Sequence, residues 1–150
     1  MVYFQALRKP AGNRCGRTLM SIDSIGDFLT VIRNGIMVSK PFVITSFSQM
    51  HQDIAKILKE EGFIRDATVI TDEAGKNKLK VLLKYVDGES VIHEISRVSK
   101  PSCRRYSGAK GIEPVISGLG LSILTTNRGV ISHKQAESLG VGGEVICTVW

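Results

Sequence analysis

The feature that most constrains the fold is a change of period at Gly62. In "SFSQMHQDIAKILKEEGF", Ser46 to Phe63, the apolar residues Met50, Ile54, Ile57 and Leu58 recur at helical spacing and make one stripe. Ser46 and Gln49 have the spacing of a capping box, Gly62 supplies a C-terminal stop, and Phe63 can pack back on the last turn. The period then becomes two. Phe63 to Thr71 is rich in β-branched residues, and Glu73 to Lys76 reads as a turn. Lys78 to Val86 places Leu79, Val81, Leu83 and Tyr85 on one face, against Lys78, Lys80, Leu82 and Lys84 on the other. A one-sided helix leading into one-sided strands calls for helices covering one face of a small sheet.

The flanking segments extend this pattern. Upstream, Ile22, Ile25, Phe28, Leu29, Ile32 and Ile36 form a first helical stripe, which Asn34-Gly35 weakens or ends. A short extended piece, Phe42 to Thr45, follows Pro41. Downstream, Asp87-Gly88 signals a tight turn, and Val91 to Ile95 returns as a strand. The first half therefore reads α-β-α-β-β-β. In the second half, Leu119 to Leu124 and Glu144 to Val149 read as strands and Ser132 to Leu139 as a short helix. The expectation is an α+β chain of two small lobes: a basic extension over 1–19, an N-terminal lobe over 20–97, and a mostly β C-terminal lobe over 98–150.

Charge separates these regions. Residues 1–19 hold Arg8, Lys9, Arg14 and Arg17 and no acid. The middle of the chain is slightly acidic. Residues 96–150 carry seven bases against three acids, and the whole chain is +6. A localised positive face suits a polyanion partner better than it suits general solubility. The extension lacks the apolar region of a secretory signal and leaves three readings open. They are an upstream start that adds little, an organellar transit peptide, and a basic arm touching nucleic acid. No apolar run approaches the roughly 20 residues of a membrane helix, so no membrane partner is expected.

Catalytic constellations are missing. His51, His93 and His133 fall in three different elements, none with a partner at metal-ligand spacing, and Cys15, Cys103 and Cys147 form no CxxC pair. No metal, cofactor or disulfide framework is signalled, and a reducing compartment follows. The glycines of "SGLGLS" and "GVGGE" match neither phosphate-loop spacing, and the GxSxG elbow is absent. The chain is therefore expected not to be an enzyme. The rival is a small phosphate- or nucleotide-binding enzyme using the "TTNRG" and "GVGGE" loops.

Two stretches point to RNA. "SRVSKPSCRRYSGAKG", residues 96–111, has Arg97, Lys100, Arg104, Arg105 and Lys110 without an acid, which suits phosphate neutralisation. Tyr106 offers a ring for stacking, or else lies half in the core. "ILTTNRGV" ends an apolar run in Thr125, Thr126, Asn127 and Gly129. Short neutral donors and acceptors can reach 2′-hydroxyls and base edges, where charge alone does not discriminate. The alternative is a turn whose hydroxyls satisfy its own backbone.

Several blocks in order resemble the ribosomal protein S8 family of the bacterial small subunit. "DSIGDFLTVIRNG" is similar to its opening helix, "ILKEEGFI" to the end of its second helix and "ISRVSKPSCRRY" to its basic block. "GLGLSILTTNRGV" with "GVGGEVICTVW" is similar to its C-terminal signature. The resemblance covers about residues 20–150. It implies a two-lobed protein of the ribosome, in the cytoplasm or in an organelle if residues 1–19 are a transit peptide. It further implies binding to a helix in the central domain of small-subunit rRNA and help in assembling the subunit platform. Neighbouring small-subunit proteins and a similar fold in its own message are the other implied partners. By the same resemblance, Thr125, Thr126, Asn127, Gly129, Tyr106, Gly142, Gly143 and Glu144 lie at the RNA. Lys100, Arg104 and Arg105 would hold phosphate. His133 and Glu137 depart from the family pattern, as do Gln49 and His51 where lysines are common. The basic extension would then restore some of the lost grip.

Overall fold

The computed structural model describes residues 23–113 and 115–150, so Ile22 and the whole 1–19 extension lie outside the described residues. The chain begins with α1, Ser24–Met37. Asp23 caps it, its carboxylate accepting from the Gly26 N–H at 3.0 Å. The helix does not stop at Asn34-Gly35 but runs through it. Gly35 is buried, and a Cβ there would collide with Val43 Cγ1. Tertiary packing therefore overrides a poor helix former: the glycine lets α1 lie close against the next strand.

That strand, β1 (Phe42–Ser46), leads into α2, Gln49–Glu60. The capping box expected of Ser46 does not form, because Ser46 is still in the strand; Ser48 is the N-cap and makes no side-chain cap bond. Gln49 instead donates to Asp53 at 3.0 Å. The other end follows expectation. Gly62 has φ +80°, Phe63 N–H donates to Leu58 C=O at 2.8 Å and Gly62 N–H to Lys59 C=O at 3.0 Å. This pair of bonds is a Schellman stop. His51 is a core residue: buried, stacked on the Phe28 ring at 4.7 Å, its Nδ1 donating to Ser46 C=O at 3.0 Å.

Next come β2 (Ile64–Thr71) and β3 (Asn77–Leu83), which with β1 make an antiparallel sheet in the order β1-β3-β2. Leu79, Val81 and Leu83 are buried against the helices, as the alternation requires. The expected strand to Val86 breaks at Lys84. β4 (Tyr85–Val86) and β5 (Glu89–Ser90) form a separate hairpin across Asp87-Gly88, both at positive φ. The strand expected over 91–95 is also displaced. Residues 91–94 are irregular, and β6, Ile95–Arg97, joins the second sheet.

The second sheet contains β6, β7 (Tyr106–Ser107), β8 (Leu121–Thr126), β9 (Gly129–Ser132) and β10 (Gly143–Val149), with β10 bonded to β6, β7 and β8. Between β9 and β10 lies α3, His133–Leu139, closed at its start by a reciprocal Ser132–Gln135 capping box and at its end by Gly140 at φ +64°. The mixed α+β arrangement is the one expected, with helix and sheet in the N-terminal lobe and mostly strands in the C-terminal one. A single hydrophobic cluster joins them, running from Phe28, Leu29 and Ile54 to Ile123, Ile146 and Val149. Arg97, largely buried on β6, pairs with Asp23 at 3.2 Å, and Lys134 on α3 pairs with Glu61 at 3.1 Å, so each pair links the two sheets' surroundings. None of the described helices is long and apolar enough to cross a membrane.

Candidate nucleic-acid interface

The residues singled out in the C-terminal half converge. In the pairing registers, Tyr106 stands opposite Glu144, and Glu144 stands opposite Thr125. Paired residues project to the same side of a sheet, so this row presents ring, carboxylate and hydroxyl together on one face. Tyr106 is 73% exposed, which excludes the reading of a ring half in the core.

Glycines make the convergence sterically feasible. A Cβ on Gly142 would lie 2.6 Å from the Ser107 carbonyl oxygen, and one on Gly143 would collide with the Thr125 carbonyl oxygen. Both obstacles are backbone atoms, which cannot swing aside. Gly142 and Gly143 are thus contact points between strands, packed from outside by neighbouring chain. That geometry leaves no cradle for a phosphate and removes the structural basis of the "GVGGE" nucleotide reading. Gly129, by contrast, sits at φ +104° in open space and serves the turn.

At the tip, Thr125 and Thr126 end β8, and Asn127-Arg128 forms the two-residue connection to β9. Thr126 behaves as the self-satisfied alternative requires: its hydroxyl donates to Gly129 C=O at 3.0 Å and accepts from Arg128 N–H at 3.1 Å. These two bonds fix the turn. The side chains of Thr125 and Asn127 make no hydrogen bond to other described residues, and Asn127 is exposed. They are the groups with capacity left for a ligand.

Glu144 braces the basic loop. Its Oε1 accepts from the Ser99 hydroxyl and from Arg104 Nη1, the latter at 2.8 Å. Ser99 is fully buried, and its Oγ accepts in turn from the Arg105 N–H at 3.2 Å. Burial alone would push the Glu144 carboxyl up. The Ser99 and Arg104 donors and the charges of Arg104 and Arg97 outweigh it and hold the group below its ordinary value. The same contact pushes the Arg104 guanidinium up. Lys100, Arg104 and Arg105 all remain exposed on this loop, beside a tight turn closed by reciprocal Lys100–Cys103 backbone bonds at 3.0 Å. Sequence reasoning overlooked Ser99, a small hydroxyl residue with no periodic signal of its own. The one available hint was its position inside a run of bases.

Of the departures in the C-terminal lobe, His133 has a structural role and Glu137 has no structural explanation. His133 Nδ1 accepts from the Ser122 N–H at 3.3 Å, fixing the start of α3 against β8. Glu137 is exposed on α3. Among the described residues no three His, Cys, Asp or Glu side chains are grouped to hold a metal ion.

Comparison with known proteins identifies the family. The model of the family described as Ribosomal protein S8 matches residues 23–150. The chain is 47% identical over 127 residues to the small ribosomal subunit protein uS8 of Verminephrobacter eiseniae, covering 85% of this chain and 96% of that protein. It is 48% identical over 128 residues to uS8 of Paracoccus denitrificans, covering 85% and 97%. The uS8 of Ruegeria sp. is 47% identical over 128 residues, covering 85% and 98%. With the described fold and site falling inside the matched residues, the chain belongs to the ribosomal protein S8 family, a family of structural proteins of the small ribosomal subunit and not of enzymes.

Proposed function

We propose that this chain binds an irregular helix in the central domain of small-subunit rRNA through its C-terminal lobe and so helps assemble the subunit platform. The observation that carries the reading is the single row of Tyr106, Glu144 and Thr125 across β7, β10 and β8, flanked by an exposed basic loop. Tyr106 supplies a stacking face, Thr125 and Asn127 supply neutral donors and acceptors, and Lys100, Arg104 and Arg105 supply phosphate contacts. Thr126 and Gly129 set the turn that presents Asn127. Gly142 and Gly143 let the strands close up. Glu144 holds Arg104 in place through Oε1, and its second oxygen is left to accept from a base or ribose donor. The ribosome is the site of action, in the cytoplasm if residues 1–19 are not a targeting segment. Neighbouring small-subunit proteins, and a similar helix in its own message, are further partners on this reading.

Titrating the full chain with a short RNA helix containing an internal loop, over a range of salt, tests the proposal. Tight binding with a steep salt dependence is expected. Tyr106→Ala should weaken the cognate helix far more than an unrelated duplex. Equal affinity for both RNAs, or indifference to RNA with tight nucleotide binding, would refute it.

A further inference from the structure

The two outer edges of the N-terminal sheet are finished differently. β2 carries Arg65 and Asp66, has a register shift between Ile64 and Asp66, and turns the Asp66 carboxylate onto the Ala67 N–H at 2.7 Å. Irregularity, charge and a side chain on an edge amide are ways in which a sheet refuses a further strand. β1 has none of them. Its residues, Phe42-Val43-Ile44-Thr45-Ser46, include no charge and no proline, and they pair with β3 without a shift.

The phase of the β1–β3 ladder is set by Leu83, whose N–H donates to Pro41 C=O at 3.0 Å. Antiparallel partners alternate between bonded and unbonded pairs. Val43 and Thr45 therefore use their backbone groups on Val81 and Leu79, while those of Phe42, Ile44 and Ser46 turn outward. Ser46 C=O already accepts from His51. The N–H and C=O of Phe42 and Ile44 have no partner among the described residues. Their side chains are 40% and 45% exposed, and Met37 and Val38 at the end of α1 extend the apolar surface. An open groove of about 580 Å³ runs between this edge and α1, lined by Val31, Asn34 and Val38 among others. Lys40 also lines it, no acid does, and Lys80 sits over the Phe42 ring at 4.3 Å.

We propose that β1 is a strand-accepting edge, which takes up an extended segment of a second protein beside Phe42–Ser46. The segment's inward side chains are apolar and fill the groove, and it carries a carboxylate near Lys40. Alternating outward N–H and C=O groups are matched by another backbone; a phosphate chain, which only accepts, would leave the carbonyls of Phe42 and Ile44 unpaired. A second copy of this chain would bring its own Lys40 and Lys80 to the junction, like charge against like. An acidic segment meets the same cations with opposite charge. The proposal does not rest on the RNA reading, since β1 and the RNA face belong to different sheets.

Residue-resolved amide hydrogen exchange of the full chain tests it, with a blocked peptide of alternating valine and glutamate as the probe. At ten times its Kd the peptide should protect the Phe42 and Ile44 amides about tenfold. A peptide with lysine in place of glutamate should bind about threefold more weakly or worse. Ile44→Glu sets a carboxylate against the probe's own glutamates on a side chain that already faces solvent, so it should keep fold and RNA affinity and lose the protection. Methylating alternate amides of the probe checks the ladder without altering the protein, and it too should abolish protection. Protection absent with the probe, or equal with the lysine peptide, overturns the proposal. It is likewise overturned if the RNA helix alone protects both amides, or if protection of the free chain rises with its own concentration. Protection of the free chain that vanishes when residues 1–19 are deleted also overturns it. RNA affinity is measured in a separate arm, so failure of the RNA reading is distinguishable from failure of this one.

Discussion

Replacing Ser99 with alanine should loosen the basic loop and weaken RNA binding from a position that touches no RNA. The Ser99 hydroxyl is fully buried, donates to Glu144 Oε1 and accepts from the Arg105 N–H. Alanine removes both bonds and leaves a partly buried carboxylate oxygen one donor short. A hydrogen bond to a charged acceptor is worth about 1.5–3 kcal/mol, and a neutral one about 1 kcal/mol. The two share one oxygen and are not independent, so the expected loss is about 2–3 kcal/mol. For a chain of this size that lowers Tm by about 5–10 °C. Arg104 and Arg105 must then be reordered on binding, which should cost about tenfold in affinity for the cognate helix. The assay is thermal unfolding of wild type, Ser99→Ala, Glu144→Gln and the double variant, with RNA titrations of each. If Ser99 and Glu144 act as one unit, the double variant should fall short of the sum by about 1 kcal/mol or more. A Tm within about 2 °C of wild type, or simple additivity, would refute the view that this hydroxyl holds the loop.

Three further outcomes are expected. Because the Glu144 carboxyl is held below its ordinary value of 4.5, its contribution is present above that value and is lost as pH falls through the lower folded-state value. The Arg105 amide resonance should therefore move with a midpoint below 4.5, and Glu144→Gln should abolish that transition. Gly35→Ala gains about 1 kcal/mol of helix propensity but forces α1 away from Val43. Overpacking costs about 1–3 kcal/mol, so denaturant unfolding should show a net loss, and a gain would mean that the groove side of α1 yields freely. Arg105→Ala should weaken cognate and unrelated RNA alike and flatten the salt slope by about one, whereas Asn127→Ala should weaken the cognate helix alone. Identical behaviour of the two variants would erase the division between holding and reading.

Periodic signals carried most of the fold. The stripes of α1 and α2, the Gly62 stop and the alternation of β3 all depend on local spacing, and each was legible. What failed depended on distant contacts. Nothing near Asn34-Gly35 says that Val43 will approach from the next strand, and without Val43 the pair reads as a helix end. The Ser46 cap failed because β1 keeps Ser46 extended, displacing the start of α2 by two residues. The strand expected over 91–95 failed because β4 and β5 pair only two residues each before the chain crosses to the other sheet. For the candidate site, residue types pointed to a region that the fold brings together, since charge and hydroxyls are visible in sequence. Their division of labour was not visible. Thr126 was legible as a polar tip residue but not as one whose hydroxyl braces the turn, and nothing in the sequence singled out Ser99, which bonds both Glu144 and the Arg105 amide.

The unbroken hydrophobic cluster from Phe28 to Val149 also determines what this protein can do mechanically. Two lobes that share one interior are coupled through it. Moving one lobe against the other would expose apolar surface that both now bury, so the shared core resists such a motion. The β1 edge and the Tyr106 row stand on the two sides of that common core. If both proposals hold, a neighbour seated at one is positioned relative to whatever is bound at the other, as by a gauge block.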